Sequence, residues 1–129
     1  MNIAQESARV VKMIGDEVFF AAPSAETACR IGIEVCHAAI LDPVLPVARG
    51  AIGYGSVIPR EGDYFGPLVN LVSRLVKVAH PGELVVTQAA AGCLPAERWS
   101  TRALAPQQLR GLDQPVAAFA VEDKNAEPA

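Results

Sequence analysis

Apolar positions recur along this chain with two periods, and each period predicts a different kind of element. Residues 8–14 (ARVVKMI) and 17–22 (EVFFAA) are rich in strand formers and meet at Gly15-Asp16, the composition of a tight β-hairpin. Pro23-Ser24 opens a helix, with Ser24 suited to the N-cap and Glu26 to the positive end of the helix dipole. Ala28, Ile31, Gly32, Val35 and Ala39 recur at three-to-four spacing, so this helix is expected to lay that face on a sheet. A loop between Pro43 and Pro46 leads to a Gly-rich strand, VARGAIGYGSVI, and then to a polar turn, PREGDYFGP. A second helix is expected over 67–79, with Pro67 in its first turn and Val69, Val72, Val76 and Ala79 as its buried stripe. His80-Pro81-Gly82 stops it. ELVVT then reads as a buried strand, QAAAGCL as a short helix, and residues 98–104 and 115–121 as a final hairpin.

That order implies an α/β fold, a two-layer sandwich of sheet and helices, in one domain over 1–122 with a disordered tail over 123–129. At 51% hydrophobic and 19% charged, the 129 residues have the composition of a globular protein. No apolar run approaches the roughly 18 residues of a membrane span, and no signal-peptide pattern opens the chain, so a cytoplasmic location is expected. The formal charge is −3 and no basic stripe occurs, which argues against nucleic acid as a partner. Cys29 and Cys36 lie on one predicted helix, about 10 Å apart along its axis and too far for a disulfide. With Cys93 they are expected to be reduced and mostly buried thiols. Adjacent Cys36 and His37 point to different faces, so they do not form a metal site. The glycines of GAIGYGS lack the Lys-Ser/Thr pair of a phosphate loop.

Chemistry concentrates in two places. Lys12 interrupts an apolar strand, and Asp16 sits at its hairpin tip. Asn70, Arg74 and Lys77 share one polar face of the second helix, and Asp63 precedes that helix in GDYFG, beside a helix start that could hold an anion. In order and spacing, VVKMIGDEVFF, then RGAIGYGSVIPREGDYFGPLVNLVSRLVKVAHPGELVVT, then LRGLDQPVAAFAV resemble the class III adenylyl/guanylyl cyclase catalytic domain from about residue 8 to 122. The resemblance implies a ferredoxin-like cyclase fold and a head-to-tail homodimer that converts ATP to 3′,5′-cyclic AMP. It implies base recognition by Lys12 and Asp63. Lys can only donate and ionised Asp can only accept, which suits adenine. It further implies ribose orientation by Asn70, neutralisation of transition-state charge by Arg74, and phosphate contact by Arg110. Asp16 is then one of two aspartates that hold Mg²⁺ or Mn²⁺, two ions about 4 Å apart.

The chain departs from the family pattern at its start. The F-x-D-I-x-G-F-T-like strand with the other metal aspartate has no counterpart here, and Glu17 alternates to the wrong face to replace it. A cyclase domain lacking its N-terminal third is therefore expected to be weak or inactive. The alternative is a noncatalytic module for nucleotide binding or dimerisation. The lost strand is also expected to expose an edge and drive self-association.

Overall fold

The computed structural model describes residues 9–14, 17–41 and 48–125. Strands β1 (Arg9–Ile14) and β2 (Glu17–Ala21) pair antiparallel, with Ile14 opposite Glu17 and Lys12 opposite Phe19. Gly15 and Asp16, between them, lie outside the described residues. Helix α1 (Ala25–Leu41) starts as expected, because the Ser24 hydroxyl accepts the Thr27 N–H at 3.1 Å.

The face that α1 buries overlaps the expected one only in part: Ile31 and Gly32 are buried and Ala28 packs against the core. Ala25, Cys29, Ile33 and Cys36 are buried, together with Ile31, whereas Val35 is half exposed. Apolar residues run round most of this helix, so spacing alone does not fix its phase. The two thiols, small and poorly solvated, complete the stripe that packs.

Strand β3 is only Gly50–Ile52, far shorter than the run 47–58 predicts. The chain then leaves the sheet, and the expected polar turn is itself a hairpin of β4 (Ile58–Arg60) and β5 (Asp63–Phe65). Glu61 and Gly62 turn it with φ of 52° and 80°. Gly53 marks the departure: a Cβ there would lie 2.6 Å from Val72 Cγ2 and 2.8 Å from Leu68 Cδ1. Its bare backbone thus lets helix α2 (Pro67–Leu75) approach β3 closely.

Pro67 sits in the first turn of α2 as expected, and a 3₁₀ turn over Val76–Val78 continues it. The buried stripe of α2 is centred on Leu75 and Ala79, with Leu71 and Val78 beside them, rather than on Val69 and Val76. Strand β6 (Leu84–Thr87) is buried throughout and runs parallel to β3. Helix α3 (Gln88–Ala91) follows, then β7 (Trp99–Ala103) and β8 (Ala118–Asp123), giving a four-stranded sheet ordered β3-β6-β8-β7.

Alternation along β6 divides the core. Leu84 and Val86 face α1, while Val85 faces Leu75 and Leu109. The sheet and α1 make the expected two layers of an α/β fold, and α2 with Leu104, Leu109 and Val116 covers the reverse face.

Strand β8 extends past the expected end at 121. Arg98 holds Asp123 through two hydrogen bonds of 3.0 and 2.9 Å, and Lys124 donates its N–H to the Arg98 carbonyl. Residues 123–125, assigned to the tail, are thus tied to β7. Residues 126–129 lie outside the described residues.

Candidate functional site

Strand pairing and one hairpin bring Lys12 and Asp63 together across 51 residues of sequence. Lys12 Nζ donates to Asp63 Oδ2 at 2.8 Å, and Asp63 Oδ1 accepts the Tyr64 N–H at 2.7 Å. The hydrogen bond from Lys12, then that from Tyr64, hold the Asp63 carboxyl below the ordinary aspartate value. Both side chains keep contact with solvent, at 36% and 27% exposure, so the pair can reach a ligand. Lys12 uses one of its three donors on Asp63, and the carboxylate retains free lone pairs.

A second group gathers on α2. Asn70 and Arg74 lie one turn apart, and Arg74 Nη1 donates to the Asn70 carbonyl at 3.1 Å. The Arg74 guanidinium lies over Gly111, where an added Cβ would be 3.5 Å from Nη2. Gly111 has φ of 85°, so a side chain there would strain the turn, while its Cβ would meet Arg74 at ordinary contact distance. Arg110, exposed beside Gly111, is thereby a chain neighbour of the Arg74 cradle. Lys77 is exposed in the 3₁₀ turn. Asp16 lies outside the described residues.

Two participants escape the sequence pattern. Gly111 carries no functional group, and its signal is only a glycine after an arginine in a loop. Phe19, whose ring centroid lies 5.7 Å from Lys12 Nζ, reads from sequence as one more core aromatic.

No family model matches the chain. It is 38% identical over 119 residues to an uncharacterised protein of Mycobacterium tuberculosis, covering 92% of this chain and 31% of that protein. It is 42% identical over 84 residues to an adenylate cyclase of Streptomyces griseus, covering 65% of this chain and 21% of the relative. An adenylate cyclase structure from Trypanosoma brucei, in its monomeric state, matches 98% of this chain and 75% of its own, with a TM-score of 0.78 at 21% identity. The chain belongs to the class III nucleotide cyclase domains.

The cyclase domain thus spans less than a third of the curated relatives it matches. Class III cyclases in general use Mg²⁺ or Mn²⁺. Among the described residues of this cyclase domain, no cluster of three or more His, Cys, Asp or Glu side chains could hold a metal ion. No helix among them is long and apolar enough to cross a membrane. Two surface clefts lie away from the Lys12–Asp63 pair. One, of about 310 Å³, is lined by His80, Glu83, Arg102 and Glu122, and the other, of about 240 Å³, by Tyr54, Leu68, Leu71 and Val116. The thiols are free. Cys29 is pushed up to about 12 by burial and then by Glu26, and burial raises Cys36, whereas Cys93 is exposed, so the thiols are mostly buried as expected.

Proposed function

We propose that this cyclase domain binds ATP and belongs to an enzyme that converts it to 3′,5′-cyclic AMP and pyrophosphate. The observation that carries this reading is the Lys12–Asp63 pair, joined at 2.8 Å and still open to solvent. With one N–H committed to Asp63, Lys12 donates another to a ring nitrogen of adenine, and Asp63 accepts the exocyclic amine. Guanine presents a carbonyl and a ring N–H in those places. Each mispaired buried group would cost roughly 1–3 kcal/mol.

The chemistry asks the ribose 3′ hydroxyl to give up its proton and attack the α-phosphorus in line, with the bond to pyrophosphate breaking. Asn70 orients the ribose for that attack. Arg74, held over Gly111, places a fixed cation where phosphate charge grows, and Arg110 adds a second nearby. Both halves of the site are open surfaces, which suits a homodimer whose second copy completes each site. Lys12 and Asp16, four residues apart in sequence, then serve opposite sites.

Isothermal titration of the chain with ATP and with GTP tests this. The expected result is a Kd for ATP at least about tenfold lower, and loss of that preference in Lys12→Met. Equal affinities in the unsubstituted chain would overturn the adenine reading. Turnover of ATP, assayed in parallel, separates an enzyme from a nucleotide-binding module.

A further inference from the structure

Strand β2 carries two adjacent phenylalanines, and neighbours on a strand face opposite sides. Phe20 packs against the core under α1. Phe19 turns to the other face, stands directly opposite Lys12 in the β1–β2 ladder, and has the Lys12 ammonium 5.7 Å from its ring centroid. That ammonium is the one that meets Asp63 at 2.8 Å.

We propose that Phe19 is a positioning residue for Lys12, its ring holding the ammonium toward Asp63 and thereby sharpening the choice of adenine over guanine. The proposal rests on the reading of Lys12 and Asp63 as the base-recognising pair. A lysine stem has four carbons and many rotamers, so a partly exposed ammonium stays in one place only if something limits its alternatives. An aromatic face does this by attracting the cation through its quadrupole. With the ring on one side and the carboxylate on another, the remaining N–H groups are confined to fewer directions. A donor fixed in direction discriminates between base edges better than one that swings.

Three replacements separate the ring's electrostatics from its bulk. Pentafluorophenylalanine at position 19 keeps a six-membered ring but reverses its quadrupole, Phe19→Leu removes the ring, and Phe19→Tyr preserves it. The first readout is the titration of the Asp63 carboxyl by NMR without nucleotide, with Arg60, opposite it in the β4–β5 ladder, unchanged throughout. The second is the ratio of Kd values for ATP and GTP. The fluorinated and Leu variants should shift the Asp63 titration upward toward that of Lys12→Met. They should also reduce the ATP preference about two- to fivefold. The Tyr variant should match the unsubstituted protein in both. The fluorinated ring is close enough in size to report even if Phe19→Leu fails to fold. An Asp63 titration unmoved by the fluorinated ring would overturn the proposal. If the unsubstituted chain binds ATP and GTP equally, the base-recognition reading falls instead, and the Asp63 titration shows separately whether Phe19 holds Lys12.

Discussion

Arg74 is fixed by geometry rather than by burial: its guanidinium rests over Gly111 and bonds the carbonyl of its own helix at Asn70. If it acts on charge that develops during reaction, its loss should leave substrate binding largely intact. In an active cyclase containing this domain, Arg74→Ala is expected to lower kcat about 100-fold or more with little change in KM. Steady-state kinetics with ATP checks this, and a rise in KM at constant kcat would assign Arg74 to ground-state binding. What the sequence reveals at this scale depends on distance along the chain. Asn70 and Arg74 are four apart, so helical spacing alone puts them on one face. Lys12 and Asp63 are 51 apart, and no periodicity links them. Their meeting is legible only through the order of family motifs. Phe19 stays hidden because strand alternation gives two faces without saying which one meets the core.

The elements themselves are read well from pattern, but their rotational phase is not. Ser24 and Pro67 start α1 and α2 where capping chemistry places them. Yet each helix buries residues outside the expected stripe, Cys29 and Cys36 on α1 and Leu75 on α2, beside Ile31 and Ala79 within it, because each carries more apolar residues than one stripe needs. The difference is measurable. Leu75 is fully buried, so Leu75→Ala should cost about 2–5 kcal/mol in denaturant unfolding. Val35→Ala, on the exposed side of α1, should cost less than about 0.5 kcal/mol. Strand β8 shows the other kind of gap, since its last residues look like a polar tail until Arg98 and Asp123 are seen to pair. The Arg98 hydrogen bonds, more than any other influence, hold the Asp123 carboxyl below the ordinary value. A carboxyl depressed in the folded state binds fewer protons there than in the unfolded chain, so stability rises with pH through the titration. The contribution is complete above about pH 3.9 and is lost as pH falls through the folded value. Thermal melting of the unsubstituted protein and Asp123→Asn should therefore differ near neutrality and converge only once pH falls below the depressed folded value. Asp63 shifts in the same direction in both proteins and does not affect the comparison.

For the molecule as a whole, the described strands form three separate sheets, and β3 is an edge of the largest. Ile58 and Phe65 face each other across the β4–β5 hairpin and are both about half exposed, as are Val10 and Val18 on the first hairpin. Apolar pairs left open in this way favour association. Sedimentation should show concentration-dependent dimerisation at micromolar concentration, weakened by Phe65→Asp. A monomer throughout that range would mean that these surfaces stay solvated. The tie between α1 and the sheet has an optical consequence. Trp99 is the chain's single tryptophan, it is 3% exposed, and its indole N–H donates to Glu26 of α1 at 2.9 Å. All indole emission from this protein therefore originates at the joint between helix and sheet. A shift to longer wavelength with no loss of helical circular dichroism would register α1 lifting from the strands before the elements melt, so the protein carries its own fluorescent gauge of that joint.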